Sequence, residues 1–258
     1  SMRIKTFRSR LRAGDRLAGT FVKTPAFQVV EVLATSRLDF IVLDAEHSPF
    51  DRQTLDACLA VARAHDLPSL IRVGDGSPRE LLWALDMGAT GVVVPHVDTV
   101  DKAQAVAKTA RYGLGGRGFA GSTRSAGYAT RSMAEVLQDT HDTVVIPQIE
   151  EPAGVDACDA IAAIDGVDAL FLGPADLSVS YGHTSVNNPD LPQALARVGA
   201  ATRAHGKGYV SFAANGAQAQ EMAAHGVHAF CMASEHGWLR AGANADADVV
   251  HGLNERDA

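Results

Sequence analysis

The sequence predicts an α/β fold of the (β/α)8 TIM-barrel class, and three observations support this. Short apolar runs and helical segments alternate along the chain, which is the pattern of parallel strands joined by helices. Eight apolar runs are present, the number of strands that closes this barrel. A length of 258 residues is ordinary for one such barrel, so residues 1–258 are expected to form a single domain.

Each predicted strand is a run of aliphatic or aromatic residues that stops at a polar residue, a glycine or a proline. Short runs bounded in this way are typical of buried strands. The eight predicted strands are 17–22, 40–43, 69–71, 91–94, 144–149, 169–172, 208–212 and 229–233.

Helical segments fill most of the chain between the strands. The segment Pro78 to Asp86 begins with proline at the first helical position, where its missing N–H costs nothing. The basic opening, Arg3 to Asp15, is expected to form a short helix over one end of the barrel. The tail from Leu239 is expected to be a helix that packs on a neighbouring subunit. Residues 112–131 and 177–192 are expected to be irregular. The other predicted helices are 27–35, 55–64, 99–111, 154–163, 195–205 and 217–224.

A doubly wound sheet is the main alternative fold. A nucleotide-binding sheet of that kind opens a helix with G-x-G-x-x-G directly after its first strand. No such motif follows residues 17–22, and the glycine-rich run 113–118 follows a helix instead of a strand. The barrel is therefore the preferred prediction.

Composition and charge exclude several classes of protein. A net charge of -7 without a basic stripe argues against nucleic acid as a partner, because phosphate contacts need clustered lysine and arginine. Cys58, Cys158 and Cys231 are widely separated, which fits buried thiols in a reducing compartment better than disulfides or zinc ligands. No apolar run is long enough to span a bilayer and no signal peptide is visible, so a cytoplasmic protein is expected.

Polar residues collect where the predicted strands end, which is where this fold builds its active site. Glu150 and Asp176 follow two successive strands, so a right-handed crossover brings them side by side. Such a pair holds a hard divalent cation, or else one of the two merely caps the next helix. Both interpretations remain open at this point. The polar residues at the strand ends are Asp44, His47, Arg72, His96, Gln148, Glu150, Asp176 and Ser234.

The chemistry of the remaining residues indicates further roles. Arg72 offers a planar fork of donors for an enolate or carboxylate oxygen, and a structural ion pair is the alternative. His47 can exchange a proton near neutral pH, or is a structural histidine. Asp44 supports a water or the histidine, or is a turn carboxylate. Gln148 donates to a substrate carboxylate or packs on the barrel wall. Phe212, with the two irregular stretches, is expected to line the substrate pocket.

The strand-end segments resemble the HpcH/HpaI aldolase family of the pyruvate/phosphoenolpyruvate barrel superfamily. The resemblance spans most of the chain, and its last two segments together are quite specific. It implies a class II aldolase, dependent on Mg²⁺, Mn²⁺ or Co²⁺, that reversibly cleaves a 4-hydroxy-2-oxo acid to pyruvate and an aldehyde. The matching segments are LDAEH at 43–47, IRV at 71–73, VPHV at 94–97, QIE at 148–150 and LGPADLS at 172–178.

The resemblance also implies roles for individual residues by match of position. Glu150 and Asp176 are similar to the family's metal ligands. Arg72 is similar to its enolate-stabilising arginine, and His47 to the histidine of its acid/base machinery. The residues implied in holding the pyruvate carboxylate are Gln148, Gly173, Pro174 and Ala175.

Asp86 matches an aspartate that supports the catalytic histidine in this family. Asp86 ends a helix that runs away from the catalytic face of its own barrel, so it could reach a His47 only across a subunit interface. The chain is therefore expected to be an obligate homo-oligomer whose sites are completed by neighbours, and the resemblance implies a hexamer. Sedimentation tests this expectation, because a fully active monomer would contradict it.

Three alternatives to this function stay open. A class I aldolase needs a lysine for a Schiff base, and of five lysines only Lys23 lies near a strand end. A CoA-ester lyase resembling the citrate lyase β chain would keep the acidic pair, but it needs a basic site for the CoA phosphates, and none is visible. A retired barrel that only binds a keto acid has no physical need to keep buried charge, yet His47, Arg72, Glu150 and Asp176 are all present.

Overall fold

The computed structural model describes residues 2–253, and its eight strands are all parallel and close a barrel in sequence order. This confirms the predicted (β/α)8 barrel. Each strand lies within a residue or two of its predicted position. The strands are β1 Leu17–Val22, β2 Phe40–Asp44, β3 Ser69–Arg72, β4 Gly91–Val94, β5 Val144–Ile149, β6 Ala169–Leu172, β7 Gly208–Ala213 and β8 Ala229–Ser234.

Helices surround the barrel and connect one strand to the next, as a parallel sheet requires. Several begin with a side chain that accepts a main-chain N–H, such as Ser77, Thr99 and Asn215. The helices of the described chain are α1 Arg3–Ala13, α2 Phe27–Ala34, α3 Arg52–Ala64, α4 Pro78–Asp86, α5 Val100–Thr109, α6 Met133–Asp139, α7 Pro152–Ala162, α8 Pro174–Ser180, α9 Asp190–Ala204, α10 Gly216–Ala224 and α11 Glu235–Leu253.

Alternate residues of the strands fill the barrel interior. Phe40 and Val42 of β2 and Leu70 of β3 belong to one buried apolar cluster. Because side chains alternate along a strand, Asp44 follows Val42 on the inward face and Arg72 follows Leu70. The uppermost inward layer, at the carboxyl ends of the strands, is therefore polar.

The opposite end of the barrel is closed by α1, as predicted for the opening of the chain. Phe7 and Leu11 are buried, and the ring of Phe7 packs 5.4 Å from that of Phe40. The helix ends at Gly14, whose φ of 84° is the left-handed conformation that glycine adopts without strain.

Two stretches depart from the sequence prediction. Residues 177–192 were expected to be irregular, but α8 occupies 174–180 and α9 begins at 190. The seven residues of α8 are too few for a helical period to be recognised. Pro192 lies in the first turn of α9, where proline is tolerated because the N–H has no intrahelical partner. The short helix α6 follows the irregular stretch 112–131 and was not predicted.

The last described helix, α11, begins directly after β8 and is mostly exposed. The exposed fractions of Leu239 and Val249 are 66% and 67%, and Val250 and Leu253 are also exposed. The predicted contact of this helix with a neighbouring subunit stays a prediction. Within residues 2–253, no helix combines the length and apolar character that crossing a membrane requires.

Candidate active site

A buried ion pair between Asp44 and Arg72 forms the centre of the polar layer at the barrel mouth. The two residues end β2 and β3 and lie opposite each other in the sheet register. Arg72 Nε donates to Asp44 Oδ1 at 3.0 Å, and Nη2 donates to Oδ2 at 2.7 Å. The guanidinium also stacks over the ring of Phe21, 4.4 Å from its centre. Arg72 is therefore held in one orientation by two parallel bonds and an aromatic face.

Both members of this pair are charged. Burial raises the pKa of Asp44, but the bonds from Arg72 and Lys23 outweigh burial and hold that pKa well below its usual range. Burial lowers the pKa of Arg72, and the hydrogen bond and charge of Asp44 more than offset this. The second cation, Lys23, donates its Nζ to Asp44 Oδ2 at 2.6 Å.

Across the mouth, Glu46, His96 and Glu150 bring their ligand atoms within 4.8 Å of one another, which is a possible metal site. His96 Nε2 lies 3.5 Å from Glu46 Oε1, and His96 Nδ1 lies 3.3 Å from Glu150 Oε1. Carboxylate oxygens with an imidazole nitrogen suit a divalent cation. Glu46 and His96 each lie two residues beyond a strand end, and no role was predicted for either of them from the sequence.

Glu150 is a buried carboxylate of the mouth whose pKa is raised, in contrast to that of Asp44. It is 2% exposed, and burial raises its pKa to about 7. The main-chain N–H and charge of His96 lower that pKa, whereas the charges of Asp176 and Glu46 raise it further. Negative charge thus accumulates here beyond what the neighbouring cations offset, and a bound cation would relieve it.

The backbone of His96 brings its N–H onto Glu150. His96 has a φ of 54°, which is uncommon for a residue other than glycine. Its N–H donates to Glu150 Oε1 at 2.8 Å, and its Nδ1 lies 2.8 Å from Glu151 Oε1. Strained backbone of this kind persists where surrounding contacts fix it, often at functional sites.

The second predicted metal ligand, Asp176, lies in the first turn of α8 and is exposed. It is not part of the group of three ligand atoms described above, although its charge acts on Glu150. Glu150 Oε1 accepts the His96 N–H, whereas Oε2 lies on the side of Gly173, where α8 begins. Glu150 therefore has a carboxylate oxygen on each side, one toward His96 and one toward α8.

Gly173, at the start of α8, lies close to the end of β5. A Cβ placed on Gly173 would lie 3.0 Å from Gln148 Nε2 and 3.2 Å from Glu150 Oε2, so glycine permits this close approach. Gln148 is buried, and its Oε1 has no hydrogen-bond partner among residues 2–253. Pro174, Ala175 and Phe212 line a cavity of about 500 Å³ between β7, α8, α9 and α10.

His47 and Asp86 of one chain lie at opposite ends of the barrel. The His47 side chain is 58% exposed at the mouth, and its Nε2 lies 3.6 Å from Glu46 Oε2. The main-chain N–H of His47 donates to Asp44 Oδ1 at 3.2 Å. Asp86 ends α4 at the opposite end of the barrel and pairs with Arg117 at 2.5 Å. Support of His47 by Asp86 thus requires a neighbouring subunit and stays a prediction.

Comparison with known proteins agrees with this architecture. A model of the HpcH/HpaI aldolase/citrate lyase family matches residues 17–240. A hydroxypyruvate/pyruvate aldolase of Roseovarius nubinhibens is 35% identical over 210 residues, which are 78% of this chain and 80% of the relative. A 5-keto-4-deoxy-D-glucarate aldolase of Salmonella arizonae is 34% identical over 221 residues, 85% of this chain and 86% of the relative. The crystal structure of an HpcH/HpaI aldolase/citrate lyase family protein from Burkholderia cenocepacia superimposes with a TM-score of 0.90 at 32% identity, over 95% of this chain and 99% of the other.

These similarities extend over nearly the whole barrel. The matched residues 17–240 contain all eight strands and thus every side chain of the mouth described above. Relatives named as aldolases, at this identity over most of the chain, make the protein a carbon–carbon lyase. The resemblance noted from the strand-end segments is confirmed, and the chain belongs to the HpcH/HpaI aldolase/citrate lyase family.

Proposed function

We propose that the protein is a divalent-metal-dependent, class II aldolase that cleaves a 4-hydroxy-2-oxo acid to pyruvate and an aldehyde, and catalyses the reverse addition. One observation carries the proposal: buried Glu150 lies among other carboxylates at the mouth that also holds the oriented guanidinium of Arg72. A cation site beside a fixed arginine is suited to stabilise negative charge on a carbonyl oxygen.

The residues present fit a hard cation such as Mg²⁺, Mn²⁺ or Co²⁺. Glu150 is buried, and the negative charges of Asp176 and Glu46 raise its pKa further, so a cation beside Glu150 would favour its charged form. We assign the ion to Glu150 and Asp176, because Glu150 Oε1 already accepts a main-chain N–H whereas Oε2 lies toward α8. Glu46 and His96 would then lie on the other side of Glu150. When bound, the ion supplies a Lewis acid for the oxygen of the 2-oxo group.

The side chains of the mouth divide the remaining work. Arg72, held by Asp44, presents its guanidinium to the oxygen on which negative charge develops. Gln148 and the main chain around Gly173 bind the substrate carboxylate. His47 moves the proton of the 4-hydroxyl group, directly or through a water.

The cavity beside Phe212 is the place proposed for the aldehyde portion of the substrate. It reaches Pro174 and Ala175, which directly follow Gly173 in the chain, and both apolar and amide side chains line it, including Asn187, Asn188 and Leu191. Relatives named for pyruvate, hydroxypyruvate and keto-deoxy sugar acids support a small polar substrate class.

The proposal is tested by following pyruvate release from a panel of 4-hydroxy-2-oxo acids with coupled lactate dehydrogenase. We expect EDTA to stop the reaction and added Mn²⁺, Mg²⁺ or Co²⁺ to restore it, since the charge on the 2-oxo oxygen needs a cation. Equal turnover with and without chelator would reject the metal-dependent function. Trapping of pyruvate on a lysine by borohydride would instead identify a class I enzyme.

The position of the ion is tested separately by Mn²⁺ titration calorimetry. We expect Asp176→Asn to weaken Mn²⁺ binding by more than about tenfold, because it removes a ligand oxygen charge. Glu46→Gln is the matched control, since it removes one carboxylate charge from the other side of Glu150, and its effect should be smaller. The reverse order of effects would move the ion to the group of Glu46, His96 and Glu150.

A further inference from the structure

We propose that Lys23 is a positioning residue of the active site, which shares the charge of Asp44 and so leaves the guanidinium of Arg72 to stabilise negative charge on the substrate. This inference rests on the proposed aldolase function. It concerns a residue to which neither the ion nor the substrate contacts proposed above assign a role.

The position of Lys23 follows from the alternation of side-chain direction along β1. Leu17 and Phe21 belong to the apolar cluster of the barrel interior, and Lys23 comes two residues after Phe21, just beyond the strand end. Its Nζ lies 5.8 Å from the centre of the Phe21 ring, on which Arg72 also stacks. Lys23 thus belongs to the same inward layer as Asp44 and Arg72.

Lys23 and Arg72 bind the same carboxylate. Asp44 Oδ2 accepts Lys23 Nζ at 2.6 Å and Arg72 Nη2 at 2.7 Å, while Oδ1 accepts Arg72 Nε and two main-chain N–H groups. Asp44 is fully buried, so its charge is screened mainly by these two cations. The Lys23 side chain is only 27% exposed. Such an arrangement is a buried network, and differs from a surface ion pair.

The main chain of Lys23 is fixed by a second acidic residue. Glu235, the first residue of α11, is 4% exposed, and its Oε1 accepts the N–H of Lys23 at 2.6 Å and of Thr24 at 2.5 Å. Thr24 Oγ1 also lies 2.9 Å from His236 Nε2. The loop after β1 is thus attached to the segment after β8, its neighbour in the barrel. The main chain that carries the Lys23 side chain is therefore held in place beside Asp44.

The charges explain what this contact does. Lys23, Asp44 and Arg72 together carry a net charge of plus one, whereas Asp44 and Arg72 alone are neutral. Without Lys23, Arg72 would have to neutralise Asp44 by itself, and the potential that it presents at the mouth would fall. The loss of positive potential would matter most when negative charge develops on the substrate oxygen. It should therefore lower the reaction rate more than it weakens substrate binding.

Lys23→Met tests the proposal, because methionine keeps much of the length of the lysine side chain without its charge. Lys23→Arg is the rescue variant, because it restores the charge. The readout is exchange of the methyl protons of pyruvate for deuterium, followed by proton NMR with saturating Mg²⁺. We expect Lys23→Met to lower the maximal exchange rate by about 10- to 100-fold and to change the KM for pyruvate by less than about threefold. Lys23→Arg should recover most of the rate. Lys5→Met, which removes the exposed ammonium of Lys5 from α1, should match the wild type.

The outcomes separate this inference from the function on which it rests. No exchange by the wild-type enzyme would overturn the proposed function and, with it, this role. Exchange that is normal in the wild type and in Lys23→Met would overturn the role of Lys23 alone, as would equal losses in the methionine and arginine variants. Mn²⁺ affinity and circular dichroism should be unchanged in Lys23→Met, and a loss of either would reassign the residue to metal binding or folding.

Discussion

Arg72→Ala should lower pyruvate release by about 10²- to 10³-fold, a loss of about 3 kcal/mol or more of transition-state stabilisation. The guanidinium is 7% exposed and is oriented by two bonds to Asp44 and by the Phe21 ring, so no water or other side chain can take its place without reorganisation. Steady-state kinetics with the coupled pyruvate assay measure the loss.

Arg72→Lys is the matched control for charge alone. An ammonium cannot make the two parallel bonds that fix the guanidinium on Asp44, so we expect this variant to recover only a small part of the rate. Thermal unfolding of both variants separates chemistry from stability, since Asp44 retains Lys23 as a partner when Arg72 is removed. Near-normal turnover of folded Arg72→Ala would reject its catalytic role.

Most of the fold could be predicted because a barrel has a simple period. Each strand is a mostly apolar run that stops at a polar residue, a glycine or a proline, and the strands were located to within a residue or two. The helices α6 and α8 were missed because each has only seven residues, too few for a helical repeat to stand out. Pro192 also concealed the start of α9, although proline is acceptable in a first turn.

The candidate site could be predicted as far as strand direction determines it. Parallel strands place their last residues at one mouth, where Asp44 binds Arg72 and the charge of Glu150 acts on Arg72. The conformation of the loops beyond the strands is not fixed by any period. Glu46 and His96 approach Glu150 through such loops, and His96 does so with a φ of 54° that no sequence pattern indicates.

The two ends of the barrel use the same chemistry for different purposes. At the mouth, buried Asp44 orients Arg72, the arginine that we propose stabilises charge on the substrate. At the closed end, Asp168 is equally buried, and it binds Arg8 at 2.7 Å, Arg111 at 3.3 Å and the N–H of Val145 at 2.9 Å. These contacts join α1, β5, the residue before β6 and Arg111, which follows α5. Asp168 therefore has a structural role at the end of the barrel remote from the mouth.

Asp168→Ala should lower the free energy of unfolding by about 3 kcal/mol, measured by urea denaturation. The substitution leaves the buried N–H of Val145 without its acceptor and removes the carboxylate from two arginines. This loss of unfolding free energy is at the low end for a broken buried network, because the Arg8 and Arg111 side chains are 27% and 24% exposed and can reach water.

Asp156→Ala is the control that isolates the effect of burial. Asp156 also pairs with an arginine, Arg197, at 2.6 Å, but the two side chains are 72% and 54% exposed. Surface pairs of this kind contribute about 0.5 kcal/mol, so this variant should unfold almost as the wild type does. Equal losses in the two variants would mean that burial does not set the strength of the Asp168 network. Because Asp168 lies at the end of the barrel opposite the mouth, the KM of folded Asp168→Ala should equal that of the wild type, and a changed KM would show that the closed end is coupled to the active site.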